Sequence, residues 1–352
     1  MKKSKLIYAI LFVVMFVTAC SDDNDEPNEP QGDYENGYFV TNEGPFQNGT
    51  GTITFVGDDG QVSQNVFKTV NGEDIGNILN SMTISDDKAY IVVNNSNKIV
   101  VVNKYTMEKE AEINGDAIVN PRFLVVNDGK GYISNWGDPN NSNDDFITVI
   151  SLETNTVLET ISVGEGPEKM IVDTDKLYVC LQGGYGSNNK VVVIDTTDDS
   201  IMTNLTVGDV PNSIVADNNG DLWVLCGGNP SYTGNETPGF LYKITPGNNT
   251  LSFLEFASTE HPSLLNSESG MLLYTLNGKV FQMNNSDNDL PSEGIAGLDG
   301  FYYAMHIRNG DLYATDAADY NSEGTLKIFN ISSGSLLETI NTGIIPGQVV
   351  FP

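Results

Sequence analysis

The chain has 352 residues, with 47 acidic side chains against 17 basic ones and a formal charge of −30. That balance argues against a nucleic-acid partner, since lysine and arginine are too sparse to neutralise a phosphate backbone, and it favours solubility. Three cysteines and two histidines are too few for a disulfide framework and leave little for zinc or acid–base chemistry.

Residues 1–19 read as a cleaved signal. Lys2, Lys3 and Lys5 form a positive start, and Leu6 to Val17 form an apolar run too short for a stable membrane span. The order Val17-Thr18-Ala19-Cys20 resembles a bacterial lipobox, which implies that Cys20 becomes the lipidated N-terminus. Losing the three lysines takes the formal charge from −30 to −33 and leaves 333 residues, ample for a large core. Residues 20–35 are acidic, rich in Asn and Pro, and are expected to be a flexible tether. Ser21-Asp22-Asp23 resembles the export signal of surface lipoproteins in Bacteroidetes. It implies an outer-membrane anchor, through lipid alone, that faces the exterior.

From residue 36 to 352 the sequence repeats. Short alternating strands such as "DKAYIVVN", "GKGYISN", "DKLYVCL", "GDLWVLC" and "GDLYATD" each follow one apolar strand and precede another, and a fourth closes most units. Equivalent positions Leu79, Pro121, Pro167, Pro211, Pro262, Tyr302 and Pro346 are spaced 42, 46, 44, 51, 40 and 44 residues apart. Four strands per such unit predict propeller blades. Six units are complete. "NGYFVTN", "GTITFVG" and "QNVFKTV" supply three strands of a seventh, and the C-terminal "PGQVVF" supplies its inner strand. The expected fold is all-β: a seven-bladed β-propeller whose first blade is closed by both ends of the domain, hiding its sheet edges.

"YFVTNEG" (38–44), "YIVVNNSNKIVVVN" (90–103) and "KVVVIDTTDDSIMTNLTVGDVP" (190–211) resemble YVTN-type propellers. With "NGEDIGNILNSM" and the lipobox, the N-terminal motif is similar to surface lipoproteins of Bacteroidetes, including cobalamin-capturing propellers that partner TonB-dependent transporters. The resemblance implies a ligand-binding role, with cobalamin or a related corrinoid as ligand and such a transporter as partner. A cell-surface adhesion module and an extracellular propeller lyase are the alternatives.

In an antiparallel meander the loops after second strands share one face with the blade-to-blade connections. Here those loops are long, which marks that face for recognition. They carry the aromatics Phe46, Trp136, Tyr185, Tyr232 and Tyr320 among the amides Asn42, Asn135, Gln182 and Asn229. Flat rings with amide neighbours suit a large, partly apolar ligand. Nearer the axis, the residues following each blade start should ring a channel mouth. Of these, Arg122 either contacts the ligand or pairs with Glu168.

No nucleophile elbow or zinc spacing is visible, so no enzymatic activity and no cofactor are expected. Asp138, Asn140, Ser142 and Asp144 alternate as in calcium loops but lack the closing glutamate, leaving a weak calcium candidate or a plain polar loop. Cys180 and Cys226 end equivalent second strands of adjacent blades, so both a bridge and two buried thiols stay open.

Overall fold

The computed structural model describes residues 31–46, 49–138 and 140–352. The expected signal, Cys20 and the tether up to residue 30 lie outside the described residues. The chain forms seven antiparallel sheets arranged as a seven-bladed β-propeller. Inner strands begin within two residues of the repeat positions, at Leu79, Pro121, Pro167, Pro211, Ser263, Ala304 and Pro346.

Closure is as the sequence predicts. The inner strand of blade 1, Pro346–Val350, pairs with Gly37–Asn42, bringing Val349 opposite Val40 and Val350 opposite Phe39. Alternation along each strand sends neighbouring residues to opposite sides of the sheet. The apolar residues therefore gather in seven clusters, one at each blade interface. Leu222 thus packs toward blade 4 while Trp223, next in sequence, packs toward blade 6. The recurring tyrosine of the second strand ties neighbours together: the Tyr132 hydroxyl donates to Asp199 at 2.7 Å, and that of Tyr178 to Asn249 at 3.2 Å. Cys180 and Cys226 share the cluster between blades 4 and 5 as free, buried thiols, which burial pushes to a higher pKa.

Three expectations need correction. "QNVFKTV" is not a strand. The fourth, outermost strand of blade 1 is only Val62–Ser63, after which Val66–Asn71 forms a short helix that buries Val66 and Phe67. Blade 6 has three strands, because the stretch after Lys279–Asn284 carries Pro291 and three glycines, which suit no regular strand. The end of the expected tether also packs: the Tyr34 ring meets Phe55 edge-on at 5.2 Å, and its N–H donates to the Tyr105 carbonyl at 3.0 Å.

Candidate functional site

Five inner strands begin with the same backbone device. The residue before each has a positive φ: Ile78 60°, Asn120 48°, Gly166 72°, Val210 57° and Ile345 54°. Its carbonyl accepts a hydrogen bond from the residue just past the second strand, namely Asn94, Trp136, Gln182, Gly227 and Glu43, at 2.7–3.2 Å. For the branched Ile78, Val210 and Ile345 this conformation costs of order 1 kcal/mol or more each. In return it fixes the upper end of each blade against the axis. Glu43, Trp136 and Gln182 are thereby held over the channel, and all three line an axial cavity of about 480 Å³.

Around that cavity stand Asn80, Arg122, Glu168, Asn212, Ser263 and Tyr303, each at or beside the start of an inner strand. Their polar groups are organised by one another. Arg122 Nε donates to Glu168 Oε1 at 2.9 Å, and its guanidinium carbon lies 4.4 Å from the centroid of the Trp136 ring. Burial raises the Glu168 carboxyl while Arg122 pulls it back down. The Tyr303 hydroxyl donates to Glu43 Oε1 at 2.8 Å; burial raises that carboxyl and the hydrogen bond opposes the shift. Trp136 is half-buried. Its Nε1 donates to the Pro167 carbonyl at 3.1 Å, and the Tyr185 ring meets it edge-on at 5.7 Å. The arrangement is a cup with a charge-paired rim and an aromatic lip, suited to holding an organic molecule.

The family model described as "Domain of unknown function (DUF5074)" matches residues 36–342. This chain belongs to the DUF5074 family. No curated protein matches it. Among solved structures, the DUF5074 chain is similar to the computationally designed Ika8 protein, with 12% identity over 88% of this chain and 86% of that one, and a TM-score of 0.60. It is also similar to BamB from Moraxella catarrhalis, at 13% identity over 89% and 84% of the two chains with a TM-score of 0.53. Apo AztD from Citrobacter koseri matches at 10% identity over 89% and 97%, with a TM-score of 0.54. At these identities the likenesses show the propeller fold alone.

The expected site residues of this DUF5074 propeller separate into three groups. Arg122, Trp136 and Gln182 line the cup, and Tyr185 flanks it with 79% of its surface exposed. Phe46, Tyr232 and Tyr320 are exposed on the same face, and Tyr320 alone of them reaches the rim, 6.0 Å from the Tyr303 ring. The remaining amides face inward. Asn42 Nδ2 donates to Thr52 and Thr54 Oγ1 and its Oδ1 accepts the Gly343 N–H. Asn135 bonds Thr148 Oγ1, the Ile133 carbonyl and the Val119 N–H. Asn229 pins its own loop through Asp209 at 3.1 Å. These three amides hold the framework. Asn42 and Asn135 sit one residue before the fixed position, and one residue reverses the side of a strand.

Among the described residues, no group of three or more His, Cys, Asp or Glu is disposed to hold a metal ion. In the weak calcium candidate, Asp138 Oδ1 accepts the Asn140 N–H at 2.9 Å and Asp144 Oδ2 accepts the Asp138 N–H at 3.2 Å. Those carboxylates cap the turn, and Asp138, Asn140 and Ser142 line one small pocket. Tyr303 lines the cavity as expected of a residue at the channel mouth, and the residues that sequence reasoning missed are Glu43 and Lys169. Position after each blade start pointed toward Tyr303, but nothing local distinguished Glu43 or Lys169.

Proposed function

We propose that this chain is a lipid-anchored capture protein of the outer-membrane surface. Its cup would bind a nutrient molecule for delivery to a TonB-dependent transporter. The observation that carries this reading is the Arg122–Trp136–Tyr185 stack at the mouth of the axial cavity. It is a pre-formed aromatic platform, so binding there has little ordering cost. The resemblance of "YFVTNEG" and the repeat to cobalamin-capturing propellers makes cobalamin or a related corrinoid the named ligand. A macrocycle of that breadth exceeds the cavity and would lie across its mouth, against the stack. We assign no catalytic role. His261 is bound to the Gly227 carbonyl at 2.9 Å, and burial holds His306 down to about 3, hence neutral.

Titration with cyanocobalamin, followed by tryptophan fluorescence, tests the ligand. Saturable quenching in the micromolar range is expected, and no binding there overturns the corrinoid. Anchoring rests on Cys20 and the signal, 1–19, with residues 20–30 as the remaining tether. The Cys20→Ala variant should be released from membranes, and one that stays membrane-bound refutes the lipid anchor. Phe46 and Tyr232 stand exposed beyond the cup, so the same face has room for a protein partner. That favours a docked transporter and, as a second reading, adhesion.

A further inference from the structure

Below the rim the axial cavity changes character. At the rim the charges are matched, Arg122 to Glu168, and Glu43 takes the Tyr303 hydroxyl. One residue further in, Lys169 is not matched. Its Nζ lies 3.8 Å from the centroid of the Phe123 ring, and among the described residues it forms no ion pair and donates no hydrogen bond. Phe123, Lys169 and Gln348 line both the 480 Å³ cavity and a second axial cavity of about 290 Å³, so these three side chains partition the channel. The other neighbours on that level are uncharged, among them Leu264, Met305 and neutral His306. Burial pushes the Lys169 ammonium down to about 8, with Glu168 opposing and Arg122 reinforcing the shift.

A half-buried cation held over an aromatic face, with the neighbouring Glu168 carboxylate taken up by Arg122, has no hydrogen-bonding partner of its own. An anion that reached it would form a charge-assisted hydrogen bond in a low-dielectric setting. One ammonium matches one negative charge. A dianion such as phosphate would be left with half of its charge uncompensated. We propose that the axial cavity holds a second binding site, for a small organic monocarboxylate. Its carboxylate pairs with Lys169 and its hydrocarbon body lies against Phe123, Leu264 and Met305. The site lies beneath the mouth and needs no corrinoid, so it stands or falls independently of the ligand proposed above.

The test is isothermal titration of the folded chain with hexanoate, 1-hexanol, hexylamine and inorganic phosphate. Hexanoate should bind at about millimolar concentration or below, with the other three at least about tenfold weaker. The Lys169→Met variant should lose hexanoate binding by about the same factor. Because that variant replaces a half-buried group, a second measurement uses unmodified protein: crystals soaked in 6-bromohexanoate should show a bromine anomalous peak inside the axial cavity, with the carboxylate on Nζ. Absence of hexanoate binding, equal binding of hexanol or phosphate, undiminished binding in Lys169→Met, or a bromine peak only outside the channel would each overturn the proposal.

Discussion

Arg122 stacks on Trp136, with the guanidinium carbon 4.4 Å from the ring centroid, while the same guanidinium holds Glu168 at 2.9 Å. The three residues belong to blades 3 and 4, so the contact bridges a blade interface at the lip of the cup. A guanidinium over an indole contributes about 0.5–2 kcal/mol, more as water is excluded. A ligand that covers the ring removes that water. The stack therefore both shapes the lip and gains strength when the lip is occupied.

Replacing Trp136 with alanine should weaken capture of cyanocobalamin by about 1–3 kcal/mol, as expected for a central aromatic contact. It should also lower stability by about 1 kcal/mol, because the Pro167 carbonyl loses its indole donor. Parallel titrations and thermal melts separate the two effects. Normal binding together with early melting would make the ring purely structural.

Trp223 is the counter-case. It is buried between blades 5 and 6, and its Nε1 donates to Asp217 Oδ2 at 2.9 Å. The Trp223→Ala variant should lose about 3–5 kcal/mol of stability through the cavity it opens. Ligand affinity, measured well below the melting temperature, should stay within about twofold, because the cavity opens away from the cup. A variant that melts like wild type would contradict the burial.

The two tryptophans mark how far the sequence could be read. "DLWVL" placed Trp223 in a strand core because strand periodicity is local, and the same periodicity with its spacing disclosed seven blades. "SNWGDP" placed Trp136 on a loop, yet the ring folds back onto Pro167 and Arg122, which lie 31 and 14 residues away. Contacts between residues distant in sequence leave no local pattern. For the same reason the amides of "VTN" and "ISN" looked like ligand contacts when they bond the framework, and the unmatched charge on Lys169 became visible only once Phe123 was seen beneath it.

Asn135 tests that reassignment. Its amide serves Thr148 Oγ1 and the Ile133 carbonyl, both buried, and the N–H of half-buried Val119. Asn135→Ala should lower stability by about 1–3 kcal/mol by leaving buried partners unpaired. Denaturant titration should show this, with corrinoid affinity unchanged in the folded protein. A stable variant with weakened binding would return Asn135 to the ligand.

Closure should be equally visible. Deleting Val349 to Pro352 removes the partners of Phe39 and Val40 in blade 1 and the Phe351 ring that packs on Tyr38 and Tyr313. It exposes a strand edge, so insolubility or a large fall in melting temperature is expected. A truncated chain with an unchanged melt would rule out the shared blade.

Asp145 gives the protein a pH signature close to the aromatic lip. It is buried, and with Trp136 and Tyr185 it lines a small pocket of about 150 Å³. Burial pushes its carboxyl up to about 6; the Gly166 N–H, which donates at 2.6 Å, opposes this, and the charges of Asp144 and Glu165 add to it. The folded state therefore holds the Asp145 proton more tightly than the unfolded chain, whose aspartates titrate near about 3.9. Stability from this group is present in full below the unfolded value, is lost as pH rises toward about 6, and is flat above it. Asp145→Asn keeps an oxygen acceptor for Gly166 and removes the titration. Relative to wild type, its melting temperature should rise between about pH 4 and 6 and stay higher at pH 8. The difference between the two proteins, measured by thermal melts across that range, isolates this carboxyl from the many other acids. A difference that does not change with pH would mean that Asp145 is ionised throughout, and that the small pocket beside Trp136 is wetter than its burial implies.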